Sequence, residues 1–289
     1  MRLKRILAIT AAAALAFGVA ACAKKDDNSA GSQFPAGSTM QRLAKAGKVV
    51  IGIKWDQANF GLRGIDGKFT GFDVEIGKIL AKELGVAEDK IKWEESVTKA
   101  REDHIMFNRV DLVIATYTIN AARKEKVSFA GPYYTAGQDI LFRKGDTSIT
   151  GPDVFKEGTK KVCSVTGSTP ANEIKKYVKD PGQIVLFDVY TKCLDALKQK
   201  QVDAVTTDNG ILAGYVAKEK DAYAMLNKPF TKEPYGIGVK KEDKAFRDWI
   251  NDVLEKAFAD GRYKAAWDAK GSVGELGITM PTALTVERY

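Results

Sequence analysis

Histidine is almost missing from this chain: His104 is the only one among 289 residues. A histidine-based metal cluster cannot be assembled from one ring. A nucleophile–histidine pair would have to use His104, which sits inside a helical stretch before a strand, a setting for packing or surface rather than catalysis. Three cysteines form no His/Cys metal cluster. Glycine-rich phosphate loops and a nucleophile elbow are absent as well. No catalytic residue, metal or cofactor is therefore expected. Long apolar runs are lacking beyond Ile6–Ala21. Positive charge is plentiful, at net +8, but Arg2, Lys4 and Arg5 lie at the very start. The other cations are scattered among acids, with no basic tract or RNA-stacking motif, which argues against a nucleic-acid partner.

What is present is an ordinary globular composition, 45% hydrophobic and 28% charged. The length suits one large or two medium domains. Residues 1–22 read as a targeting segment: a basic start, an apolar run short for a membrane span, then Val19-Ala20-Ala21-Cys22. Small residues before a cysteine resemble the lipobox of bacterial lipoproteins, which implies lipidation of Cys22 and an anchor on the outer face of the cell membrane. The other reading is an ordinary secreted protein cut at a small-residue site. Residues 23–41 are rich in Lys, Asp, Ser and Gly and read as a flexible tether. Outside the reducing cytosol, Cys163 and Cys193 are expected to form a disulfide.

Along the chain, strand and helix patterns alternate. Strands are expected over 48–54, 90–94 and 110–115, with helices over 72–84 and 98–108, the second carrying Ile105 and Met106 inward. Gly131-Pro132-Tyr133-Tyr134 and Gly137 break the pattern. A second unit repeats it, with strands 161–165, 183–187 and 202–207 and helices 171–178, 191–200 and 210–218. Strand 236–239, helix 244–259 and a short helix near Trp267 follow, and the last residues read as frayed. The fold class is α/β, in two lobes: 42–135 plus 236–280, and 138–230. Strands 139–143 and 236–239 are the expected crossings, acting as a hinge.

Residues 115–123, Ala-Thr-Tyr-Thr-Ile-Asn-Ala-Ala-Arg, stand where a parallel strand ends and a short helix begins. Such a place offers free N–H groups to an anion. A solvated turn with Arg123 paired to a nearby acid is the alternative.

Gly71-Phe-Asp-Val-Glu75, the 110–123 segment, Phe129-Ala-Gly-Pro-Tyr-Tyr134 and Val202-Asp-Ala-Val-Thr-Thr-Asp208, in that order, resemble the amino-acid-binding proteins of bacterial ABC importers. The segments Cys163–Pro170, Cys193 and Tyr235-Gly-Ile-Gly resemble the glutamate-binding lipoproteins within that group. The resemblance implies a periplasmic-binding-protein-like fold with two hinge-crossing segments, and a monomer that delivers its ligand to a membrane permease. It also implies roles. Arg123, Thr116 and Thr118 would hold the ligand α-carboxylate from one lobe, and Ser168 and Thr169 from the other. Asp208 would bind the α-ammonium, its alternative being a helix cap. Lys54, Thr98, Arg101 and, as a further candidate, Arg63 would receive a distal carboxylate, pointing to L-glutamate, or to aspartate with one methylene less. Trp55 and Phe60 compete for the place of a ligand-stacking aromatic. An enzyme on the same scaffold, or another polar amino acid as ligand, are the rival readings.

Overall fold

A computed structural model describes residues 31–289. The targeting segment and Cys22 lie outside the described residues. The first lobe opens with α1 (Thr39–Ala46), β1 (Val49–Ile53), β2 (Asp56–Gln57), β3 (Gly61–Arg63), β4 (Phe69–Thr70), α2 (Phe72–Glu83) and β5 (Ile91–Glu95). It continues through α3 (Arg101–Met106), β6 (Leu112–Val113), α4 (Ala121–Lys124) and β7 (Val127–Ala136). The second lobe contains β8 (Gln138–Arg143), β9 (Val162–Val165), α5 (Thr169–Glu173), β10 (Ile184–Phe187), α6 (Tyr190–Lys198), β11 (Ala204–Asp208), α7 (Asn209–Lys218) and β12 (Tyr223–Met225). The chain then returns to the first through β13 (Glu233–Lys240), α8 (Lys244–Ala259) and α9 (Arg262–Asp268).

Each lobe is built on a five-stranded mixed sheet, ordered β5-β1-β6-β13-β7 in the first and β10-β9-β11-β8-β12 in the second. The βαβ units pair in parallel, as the alternating apolar strands and amphipathic helices require. β8 and β13 are antiparallel to their neighbours, because each enters its sheet directly from the other lobe rather than through a helix. β2, β3 and β4 form a small separate sheet at the cleft.

The expected break at Gly131–Tyr134 lies inside β7, one of the longest strands, which pairs with β13 through to Ala136↔Glu233. The crossings therefore lie at Gly137, between β7 and β8, and in the segment between β12 and β13, not in strands 139–143 and 236–239 themselves. Phe230 N donates to Gln138 O at 2.9 Å there, so the two crossings run side by side. An aromatic cluster fills the region behind them. Phe72, Tyr133, Tyr134 and Tyr235 are buried and in mutual edge or tilted contact, each ring contributing roughly 1.5–3 kcal/mol of apolar burial.

Three further expectations are corrected. Residues 31–41 are not a free tether: Phe34 packs edge-on against Trp249, and Thr39, the first residue of α1, donates to Asp243 Oδ2 at 2.5 Å. Met106 is exposed, since helix α3 ends there and only Ile105 turns inward. The C-terminus is docked rather than frayed. Glu287 N donates to Gly131 O at 2.6 Å, and the Tyr289 hydroxyl accepts from Phe129 N at 3.0 Å. These bonds cover β7, an edge strand with otherwise open backbone groups.

Cys163 and Cys193 form the expected disulfide, with Cα atoms 5.5 Å apart. It ties α6 to β9 under the second lobe's cleft surface.

Candidate functional site

The two lobes are closed on one another, leaving only a narrow cavity between them. Its lining includes Thr98, Arg101, Thr116, Thr118, Arg123, Ser168, Thr169 and Asp208. Most of the residues singled out in the sequence thus come together at one cleft. Closure is tight: a Cβ at Gly210 would lie 2.9 Å from Phe60 Cζ, so only glycine lets α7 approach the first lobe here.

The turn after β6 is shaped by a buried acid. Asp73, in the first turn of α2, accepts from Thr116 N at 2.9 Å and from the Tyr133 hydroxyl at 2.6 Å. Burial pushes its carboxyl up to about 6, against both hydrogen bonds. Thr116 is held at φ +44°, an uncommon conformation for a threonine, and its hydroxyl donates to Gln57 Oε1 at 2.8 Å. Arg101 then braces the turn from below. Its Nε donates to Thr98 O, and its Nη1 to Ala115 O and Thr116 O, while its guanidinium lies 4.2 Å from the Tyr117 ring centre.

Asn120 caps α4, accepting from Arg123 N at 2.9 Å. That cap presents Arg123 to the cleft. Its Nη1 donates to Thr118 O at 2.7 Å and its Nη2 reaches across to Gly167 O at 3.1 Å. Glu102 stands 3.5 Å from its Nε. Burial, and then repulsion from Arg101, push the guanidinium down to about 10. Facing it, Ser168 caps α5 by accepting from Ala171 N at 2.9 Å, and the Thr169 hydroxyl donates to Thr118 Oγ1 at 3.3 Å.

Asp208 ends β11 and stands at the N-terminus of α7, yet its carboxylate makes no capping bond. Oδ2 accepts from the Tyr235 hydroxyl at 2.6 Å, and the buried Oδ1 has no partner. Burial and the nearby Glu233 push the carboxyl up to about 7. The helix-cap alternative is therefore set aside. An unpaired buried acceptor beside a cavity is a demand for a donor.

Lys54, 4% exposed, adjoins this cavity in the neighbouring one bounded by Trp55, Asp56, Glu95 and Tyr190. Its Nζ donates to Ser96 O at 2.9 Å and Thr98 Oγ1 at 2.8 Å, both neutral. Burial and repulsion from Arg101 hold it well below the ordinary lysine value. Arg63 stands apart: it is exposed and stacked over Trp55 at 4.6 Å, and it lines neither space. Phe60 is buried against Tyr134 and Tyr235. Gln57, Tyr190 and Thr207 line the cavity as well, and Asp73 and Tyr117 support it, all without a role assigned from sequence. Only Asp73 carried a signal, an acid set between Phe72 and Val74 on the apolar face of a helix.

Residues 49–268 match the model of the bacterial extracellular solute-binding proteins, family 3. The chain belongs to this family. The glutamate-binding protein GluB of Corynebacterium glutamicum is 39% identical over 273 residues, covering 90% of this chain and 88% of its own. The glutamine-binding protein GlnH of an ABC transporter in Bacillus subtilis is 39% identical over 247 residues, covering 85% and 89%. Among solved structures, an ancestral arginine-binding protein bound to glutamine is similar with a TM-score of 0.72 and 33% identity, covering 77% of this chain and 96% of that one. An L-cysteine receptor of Neisseria gonorrhoeae reaches a TM-score of 0.75 at 28% identity, covering 86% and 99%. The chain is thus an extracellular solute-binding protein, not an enzyme.

Proposed function

We propose that the protein captures L-glutamate and delivers it to the permease of its importer. The observation that carries the reading is Lys54, a buried cation whose hydrogen-bond acceptors are both neutral. Asp56 and Glu95 offset this buried charge only in part, and a ligand carboxylate would complete the balance. In this reading Arg123, Thr116, Thr118, Ser168 and Thr169 receive the α-carboxylate, Asp208 Oδ1 accepts from the α-ammonium, and Lys54 and Thr98 receive the distal group. Arg101 acts by holding the turn, and Arg63 lies outside the ligand's reach.

A second reading, L-glutamine, draws on the three Arg101 bonds to backbone carbonyls, which leave Lys54 the nearest cation for a distal anion, with Asp56 and Glu95 partly offsetting it. Isothermal titration calorimetry against the proteinogenic amino acids tests both. Glutamate is expected to bind more tightly than glutamine and aspartate. Tight glutamine binding with no glutamate binding would overturn the assignment.

The Val19-Ala20-Ala21-Cys22 sequence supports a lipid anchor on Cys22. Cys22→Ala is expected to release the protein from the membrane fraction. Retention equal to the parent would reject the anchor.

A further inference from the structure

Helix α6 belongs to the second lobe, and the residue before it, Val189, has no side chain that can cap it. Its first N–H groups would be orphaned within that lobe alone. The first of them is met from the other side of the cleft. Asp56, in the first lobe's β2, accepts from Tyr190 N at 3.1 Å through Oδ2. One helix further on, the Tyr215 hydroxyl of α7 donates to Asp56 O at 3.3 Å.

We propose that Asp56 is a closure latch, capping α6 in trans from the opposite lobe, and that it sets how tightly the cleft holds its ligand. The cap joins an anion to the positive end of a nine-residue helix, the arrangement that stabilises helix starts within one domain. Here the helix and its cap lie on different lobes, so the bond exists only in the closed form. The disulfide from Cys193 to Cys163 ties α6 to β9, and β9 leads directly into Gly167, Ser168 and Thr169. A pull on α6 is thereby transmitted to the second lobe's contribution to the anion site. The inference rests on the reading of the cleft as an amino-acid site that closes over its ligand.

The test uses Asp56→Ala, which removes the cap, and Asp56→Asn, whose amide oxygen still accepts from Tyr190 N. Single-molecule FRET between labels on the two lobes reads the closed fraction without ligand. Calorimetry with L-glutamate and L-glutamine reads affinity. Asp56→Ala is expected to lower the closed fraction and to weaken both amino acids by about 5- to 30-fold from the strength of a helix cap, glutamate less than glutamine because the same carboxylate offsets Lys54. Asp56→Asn should lie between the two, and ligand-free melting temperatures should match the parent. An unchanged closed fraction in Asp56→Ala would overturn the latch. Loss confined to one of the two ligands would also overturn it, making Asp56 a ligand contact. If the parent binds neither amino acid, the function proposed above fails, and the FRET measurement still decides the latch.

Discussion

In the closed cleft the Asp208 carboxyl takes up a proton near pH 7, because burial and Glu233 both disfavour its anion. A ligand ammonium placed at Oδ1 reverses that balance and requires the carboxylate. Amino-acid binding should therefore release a proton, and affinity should fall as pH drops below about 7, by up to about tenfold per pH unit. Calorimetry at pH 6 in buffers of different ionisation enthalpy checks the proton count. Without ligand the sign is opposite. Asp208 and Asp73 both have raised folded values, so the stability they contribute is full below the ordinary aspartate range and is lost as pH rises through about 6 to 7. The division of labour among the cations is testable in the same assay. Arg123→Ala should abolish binding of every amino acid. Lys54→Met should weaken glutamate by roughly 10²-fold or more and glutamine far less, since only the charged ligand loses its counter-ion. Equal losses for both ligands would remove Lys54 from the specificity pocket. Arg101→Leu should weaken both alike, because it releases the Ala115 and Thr116 carbonyls of a turn that any ligand uses.

At the scale of elements, the turn between β6 and α4 depends on α2 through one carboxylate. Asp73 satisfies Thr116 N and the Tyr133 hydroxyl at once, joining the turn to β7. Asp73→Ala leaves both donors unpaired in the interior and should cost about 2–4 kcal/mol of stability in urea unfolding. It should also lower affinity for all ligands, as Thr116 relaxes from its positive φ. A variant with parental stability would mean that the turn holds itself. Other elements declare themselves locally. Helix α2 is written in the period of Phe72, Ile76 and Leu80, and α4 in its Asn120 cap. β7 is not, because Gly131 and Pro132 are breakers by local preference while pairing with β13 overrides them.

Across the whole molecule the disulfide is the one covalent link beyond the chain itself among the described residues, closing a separation of 30 residues within the second lobe. Its loss in Cys163→Ser/Cys193→Ser should lower stability by about 3–4 kcal/mol on the chain-entropy account. Ligand selectivity should be kept, since neither sulfur lines the cleft. Denaturant unfolding with and without reductant measures the first expectation, and calorimetry the second.

By itself the sequence determined the two α/β units and the disulfide pair, because helix period, strand apolarity and residue chemistry are local properties, while its resemblance to amino-acid-binding proteins pointed to Arg123 and Asp208. It also pointed to Lys54 and Arg101 as cations near the site. Only the tertiary structure decided what each cation is free to do. Arg101 is bound to carbonyls of its own turn, Arg63 turns outward onto Trp55, and Lys54 keeps neutral partners. The same holds for the docked C-terminus and the reach of Asp56 to α6. These depend on pairing between residues far apart in the chain, and no local period encodes which partner a side chain will meet.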